Sequence, residues 1–251
     1  MKVVKNNHSF NVCGDFSTNW FSENKLEYWE QDTFHILDYY KNHTYIDIGS
    51  WIGPTVLYSA NIFKRVIAIE PDPIAIKRIE ANINANDFKN ITLVKKGLSD
   101  KNGTTKFGGN GEFGNSESTL LIARDDYLTY EGRHTTTYKD YHPTTEVETI
   151  TIETLFEEQN VNPSDVGLIK MDIEGGELIV VPYLVNFLKN FKPVFYISLH
   201  YCYLKMSDIK LIVDILFDIY EYCFHFECSG KKVLVTKKQV INYKISTLVF
   251  E

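Results

Sequence analysis

Short apolar runs alternate with amphipathic stretches along most of the chain, the pattern of strands that feed helices. "HTYIDIG" reads as a strand, and "PTVLYSANIF" after it as a helix. "RVIAIE" is a second strand, followed by the helix "PIAIKRIEANINAN", which keeps Ile76, Ile79 and Ile83 on one face. "ITLVKKGL" is a third strand. Further on, the strands "VGLIKMDI" and "PVFYISLH" flank the helix "ELIVVPYLVNFLKN", which must tolerate or kink at Pro182. "SDIKLIVDILFDIY" places Ile209, Ile212, Leu216 and Ile219 on one helical face, and "YCFHFEC" with "KKVLVTK" makes a closing hairpin. Strands alternating with helices predict an α/β fold, a mostly parallel sheet covered on both faces.

Two regions break this rhythm. Residues 1–43 precede the first sheet strand as an N-terminal cap segment, with one helix, "DTFHILDYYKN", expected to lean over the sheet edge. Residues 107–146 form an irregular insertion that opens on the glycine-rich "FGGNGEFGNSES". It carries Tyr127, Tyr130, His134, Tyr138, Tyr141 and His142, and so long an aperiodic stretch within a domain reads as a substrate lid with stacking aromatics.

Composition narrows the classes. A net charge of −7 argues against a nucleic acid as the main partner. "MKVVKNNHSF" lacks the apolar core of a secretion signal, and no apolar run is long enough to span a bilayer. Cys13, Cys202, Cys223 and Cys228 have no CxxC spacing and read as reduced thiols, so the expected location is cytoplasmic. The cluster "CFHFEC" alternates as a strand does, which favours packing over metal.

The chemistry starts at "YIDIGSWIGP", where Gly49 and Gly53 fall at the end of the first strand. Ligands of open α/β sheets bind beyond the carboxyl ends of the strands, and glycines there let backbone amides approach a ligand. Pro54 suits a first helical turn. Asp47 can accept from an ammonium group. Strand two ends in Glu70, placed to hold the two ribose hydroxyls of an adenosine cofactor, whereas Asp72 is the better cap for the following helix. A dinucleotide normally needs G-x-G-x-x-G at the turn, but this chain has G-S-W-I-G, with Trp51 in crowded ground. S-adenosylmethionine has no phosphate and does carry an ammonium for Asp47, so it is the expected cofactor.

These segments together resemble FkbM-type methyltransferases of the class I S-adenosylmethionine-dependent fold. The likeness rests on "YIDIGSWIGPTVLYSA", "VIAIEPDPIAIKRIEANINAN", "LVKKGLSDKNGTTKF", "ITIETLFEE" and "LIKMDIEGGE", with "WEQDTF" upstream, and runs over about residues 28–200. It implies a doubly wound domain over residues 44–251, with a seven-stranded, mostly parallel sheet and an antiparallel edge strand. It also implies methyl transfer, generally to oxygen on carbohydrates or glycosylated small molecules. By position, Asp47, Gly49 and Gly53 would line the methionine end of the cofactor, with Ser50 beside them. Glu70, followed by Pro71, would meet the ribose, and Leu98 with Ser99 the adenine. Family members often have Asn where this chain has Trp51.

In "KMDIEGGE", Asp172 and Glu174 alternate with Met171 and Ile173, so both acids can point at one crevice, while Glu177 starts the next helix. Such acids can take a hydroxyl proton, bind a divalent cation, or satisfy backbone donors. Carboxylates from one segment make an incomplete metal shell, so no metal site is expected. His200 ends strand five on the same edge and reads as the general base, a neutral imidazole that Asp172 orients. "DIEGG" is not the Asn/Asp-Pro-Pro-aromatic tetrad that grips a nucleobase amine, so the expected acceptor is a small-molecule or glycan hydroxyl. An NAD-type oxidoreductase, or a non-catalytic cofactor-binding module of a glycan-building assembly, is the alternative.

Overall fold

In the computed structural model, residues 1–23, 25–109, 112–123 and 143–251 are described. Numbering only the strands of the main sheet and the helices between them, the order begins β1 (Thr44–Ile48), α1 (Pro54–Ser59), β2 (Arg65–Ile69), α2 (Pro73–Asn84) and β3 (Ile91–Val94). It continues through α3 (Ile152–Glu158), β4 (Val166–Met171), α4 (Glu177–Phe191), β5 (Val194–Ser198) and α5 (Met206–Ile219). β6 (Cys223–Phe226), β7 (Lys232–Leu234), α6 (Lys237–Tyr243) and β8 (Thr247–Phe250) close the chain.

The sheet has eight strands in the order β7-β6-β8-β5-β4-β1-β2-β3. The five from β5 to β3 run parallel, and β8 is antiparallel to both β5 and β6. One expectation is corrected here. There are eight strands rather than seven, because the predicted hairpin β6–β7 adds an edge strand. The edge strand β7 is antiparallel to β6 and so to the five parallel strands, as expected, and "TLVF" places a second antiparallel strand, β8, inside the sheet between β5 and β6. Strand order reverses between β1 and β4, and the crevice of a doubly wound sheet opens at that point.

Alternation along the strands splits the core into two faces. Ile46, Ile48, Ile67, Ile69, Ile169 and Met171 pack with α4 and α5 on one side. Tyr45, Val66, Ala68, Leu168 and Tyr196 pack on the other side with α1 and with Phe34, Ile36 and Leu37 of the helix Gln31–Tyr39. That helix lies on the sheet face towards the β6–β7 edge, where Tyr39 meets the Phe226 ring and the Lys232 ammonium. Its Thr33 hydroxyl shares a 2.6 Å hydrogen bond with the Tyr196 hydroxyl. Lys2–Lys5 and His8–Asn11 form a separate hairpin ahead of it.

The flanks of the insertion are more regular than their sequence predicts. Gly103–Gly109 and Thr144–Ile150 pair antiparallel, and with Gly97–Leu98 and Ser118–Thr119 they make a second, four-stranded sheet. The tyrosines and histidines at 127–142 that were read as a lid lie outside the described residues. All four cysteines are free. Among the described residues, no helix is long and apolar enough to cross a membrane.

Candidate functional site

The turn after β1 explains its glycines. Gly49 has φ 87° and packs so tightly against β4 that a Cβ would lie 1.9 Å from the Asp172 carbonyl oxygen. Its N–H and that of Ser50 both donate to the Ile69 carbonyl, at 3.0 and 3.2 Å, which ties the turn to the end of β2. Gly53, at φ 91°, precedes α1 and packs against Ile79 of α2. Trp51 (φ 48°) and Glu174 (φ 54°) are also left-handed, a conformation that costs a non-glycine residue about 1 kcal/mol or more. The two strained turns face each other across the crevice.

Glu70 accepts from the N–H groups of Trp51 (2.7 Å) and Asp72 (2.8 Å), one on each carboxylate oxygen. Each oxygen keeps a second lone pair for a hydroxyl donor. Burial pushes its carboxyl up to about 7, against the pull of the two N–H donors. Asp72 caps α2 through the N–H groups of Ile74 and Ala75, as its spacing predicts. Its other oxygen accepts from Gly114 N–H at 2.7 Å. The Trp51 indole N–H donates to the Gly114 carbonyl at 2.9 Å, so this side chain anchors a covering segment.

Two cavities meet here. The narrower is lined by Gly49, Glu70, Pro71, Leu98, Leu120 and Asp172. The wider holds about 410 Å³, and its walls include Ser50, Thr55, Lys170, Tyr196 and His200. It also takes in Trp20, Trp29 and Trp51, the chain's three tryptophans. Gly49, Trp51, Ser116, Asp172 and Glu174 line both. Of the residues singled out from sequence, Asp47, Gly53 and Ser99 line neither. Asp47 is fully buried beneath the site, where the Thr55 hydroxyl donates to its carboxylate.

Lys170 is the main residue that sequence reasoning passed over. The residue is 2% exposed, and its ammonium lies 3.0 Å from Asp172 Oδ2 and 3.7 Å from Asp47 Oδ1. Burial opposes its charge, but Asp172 and Asp47 outweigh that and hold its pKa above the usual lysine range. Burial likewise opposes the Asp172 charge, yet Lys170 and then His200 hold that carboxyl well below its ordinary range. The available signal was a lone charge in an otherwise apolar strand, "VGLIKM".

His200 stands among acids. Nδ1 is 2.9 Å from Glu177 Oε1, while Nε2 is 3.3 Å from Asp172 Oδ1 and 3.4 Å from Glu174 Oε2. Burial lowers its pKa, but Glu177 and the hydrogen bonds to Asp172 and Glu177 raise it well above the ordinary value. These acids favour the charged form of the imidazole over the neutral form expected from sequence. Glu174 goes up to about 8 by burial and the nearby acids, against His200.

A profile of the methyltransferase FkbM domain matches residues 47–224. Among solved structures, an FkbM methyltransferase from Methylobacillus flagellatus KT aligns with a TM-score of 0.50 at 16% identity. The alignment covers 96% of this chain but only 56% of that one. A precorrin-6y C5,15-methyltransferase from Geobacter metallireducens GS-15 aligns at a TM-score of 0.44 and 12% identity, covering 96% and 94% of the two chains. No curated protein matches the sequence. The domain match takes in the glycine turn, Glu70, the acids after β4 and His200, and with the shared fold it shows that the chain belongs to the FkbM methyltransferase family.

Proposed function

We propose that the protein transfers a methyl group from S-adenosylmethionine to a hydroxyl of a sugar, a glycan or a glycosylated small molecule. The observation that carries this reading is the junction of the two cavities at Gly49, Trp51, Ser116, Asp172 and Glu174. A nucleoside clasped by Glu70 in the narrow cleft would present its sulfonium to whatever fills the wide cavity. The hydroxyl oxygen attacks the methyl carbon, the carbon–sulfur bond breaks, and the sulfonium becomes a neutral thioether. The hydroxyl proton leaves towards the His200–Asp172–Glu174 group. The sulfonium is already a reactive leaving group, so alignment of oxygen, methyl and sulfur is the main task.

Gly49, Ser50, Pro71 and Leu98 line the proposed cofactor path. Gly53 and Asp47 support it from beneath, Asp47 through Thr55 and through its own carbonyl, which accepts the Ser50 hydroxyl at 2.9 Å. Ser99 follows Leu98 at the proposed adenine end. The narrow cleft holds about 50 Å³, well short of the roughly 300 Å³ at which small-molecule pockets begin. Cofactor binding therefore requires the segment around Gly114 to Leu120 to move outward.

Sugar as the acceptor is supported by the wide cavity's walls. Three tryptophans offer flat apolar faces for a sugar ring, and Glu30, Asp172 and Glu174 offer acceptors for its hydroxyls. Trp20 meets Trp29 and Trp51 edge to face, at 5.4 and 5.1 Å between centroids. Trp29→Ala should raise the acceptor KM about tenfold and leave cofactor affinity unchanged, an aromatic contact being worth roughly 0.5–1.5 kcal/mol beyond area. Steady-state kinetics beside cofactor calorimetry check it.

Glu70 makes the cofactor step pH-dependent. Two ribose hydroxyls donating to it favour the ionised form, so binding lowers its pKa from about 7. Affinity should rise as pH climbs through 7, and binding at pH 6.5 should release a proton. Calorimetry in buffers of different ionisation heat should show that release in the native protein and not in Glu70→Gln. The reading as a whole is tested by incubation with labelled methyl donor and a panel of sugars, nucleotide sugars and glycans. Label on a sugar oxygen supports it, and label on none of them, with the donor bound, rejects the acceptor class.

A further inference from the structure

We infer that Asp172, Glu174 and His200 form a binding site for a divalent transition cation such as Mn2+, placed where the two cavities meet. One ligand atom from each of Asp172, Glu174 and His200 lies within 4.8 Å of the other two. The two contacts of Nε2 measure 3.3 and 3.4 Å. Adjacent ligands at about 2.1–2.2 Å from an octahedral ion sit about 3 Å apart, so small side-chain shifts bring the three onto one ion. One imidazole with two carboxylates suits Mn2+ or Fe2+ better than an all-oxygen Ca2+ shell or a thiolate site. The spacing of "KMDIEGGE" shows only the carboxylates of one segment. The fold adds the imidazole from the end of β5.

A second observation points to a cation. Glu177 is fully buried, and its Oε1 takes the Ile173 N–H at 3.1 Å as well as His200 Nδ1 at 2.9 Å. With Nδ1–H donating to that carboxylate, loss of the second ring proton turns the Nε2 lone pair towards Asp172 Oδ1 and Glu174 Oε2, the position a cation would take. A buried carboxylate on the far nitrogen of a ligating histidine is the arrangement that fixes ring and tautomer in metal sites. The second Glu177 oxygen is buried without a hydrogen-bond partner, so this side chain is held for Oε1 alone. Lys170 occupies Asp172 Oδ2 and leaves Oδ1 for the ion.

Three protein ligands on one side leave three coordination positions open. Asp172, Glu174 and His200 all line the wide cavity, so those positions face the acceptor. Two neighbouring hydroxyls of a sugar can fill two of them. The ion would polarise the hydroxyl whose oxygen attacks the methyl carbon, and with the three side chains on the ion that hydroxyl's proton would leave to solvent instead of to them. This consequence rests on the proposed methyl transfer, but the binding of the ion does not.

The test uses the full chain, freed of metal with EDTA and titrated with Mn2+, with the free-ion electron paramagnetic resonance signal as readout. One ion should bind at micromolar concentration. Glu174→Gln and His200→Ala should each weaken binding tenfold or more, and Glu153→Gln on α3 should not. Thermal melts show that each variant folds, and Glu174→Gln keeps the test alive should His200→Ala fail to fold. No binding, or binding that neither variant weakens, overturns the site. Methyl transfer that persists in EDTA while Mn2+ fails to bind removes the ion and leaves the proposed function standing. A bound ion with no methyl transfer does the reverse.

Discussion

Lys170→Met is expected to destabilise the protein by about 3–5 kcal/mol, the usual cost of leaving buried charge without its partner. The ammonium lies between Asp172 and Asp47, and the Asp47 side chain is 0% exposed. Methionine matches the stem and removes the charge, so the loss is electrostatic and not a cavity. Asp47 keeps the Thr55 hydroxyl as a donor, with the buried Tyr45 hydroxyl close by, and neither carries a charge to replace the ammonium. Against a typical total of about 5–15 kcal/mol, this is a large share of the fold's stability. Urea melts at neutral pH measure it. The double variant Lys170→Met/Asp47→Asn should recover part of the loss by removing one of the two orphaned charges. If the single variant costs less than about 1 kcal/mol, Lys170 is not the counter-ion that holds the site together.

Gly49→Ala should abolish cofactor binding and destabilise the fold as well. Left-handed backbone alone costs alanine about 1–2 kcal/mol. At Gly49 the new Cβ also meets the Asp172 carbonyl oxygen at 1.9 Å and its carbon at 2.9 Å, so β1 and β4 must part at their carboxyl ends. That movement breaks the bond from Asp172 N–H to the Ile48 carbonyl, now 3.0 Å, and shifts the residues shared by both cavities. Gly14→Ala is the control, since Gly14 has φ 79° but nothing within 4 Å of the added Cβ. It should show the backbone cost alone. Equal losses at the two positions would contradict the close approach of the strands.

Much of this was legible in the chain because the relevant signals are local. The five parallel strands announce themselves as short apolar runs, and the spacing of Gly49 and Glu70 places both at the carboxyl edge of the sheet. Asp72 is recognisable as a cap from its place before Pro73 and is found as one. What was missed depends on partners distant in sequence. β8 reads as an ordinary tail until its pairing with β5 and β6 is seen. The raised pKa of His200 could not be read from "YISLHYCY", because Glu177 and Asp172 reach it from beyond the end of β4. Trp20 and Trp29 join Trp51 only through the packing of the N-terminal segment on the sheet face. The flanks of the insertion hid their strands because polar residues and glycines dominate there, and pairing within a small second sheet leaves little apolar pattern to read.

The most direct measurement is a crystal structure of the protein grown with S-adenosylhomocysteine, the demethylated product. The account predicts both ribose hydroxyls on the Glu70 carboxylate, adenine against Leu98, and the sulfur directed at the junction beside Asp172. An empty cleft at saturating ligand, or a nucleoside bound with Glu70 facing elsewhere, would contradict it.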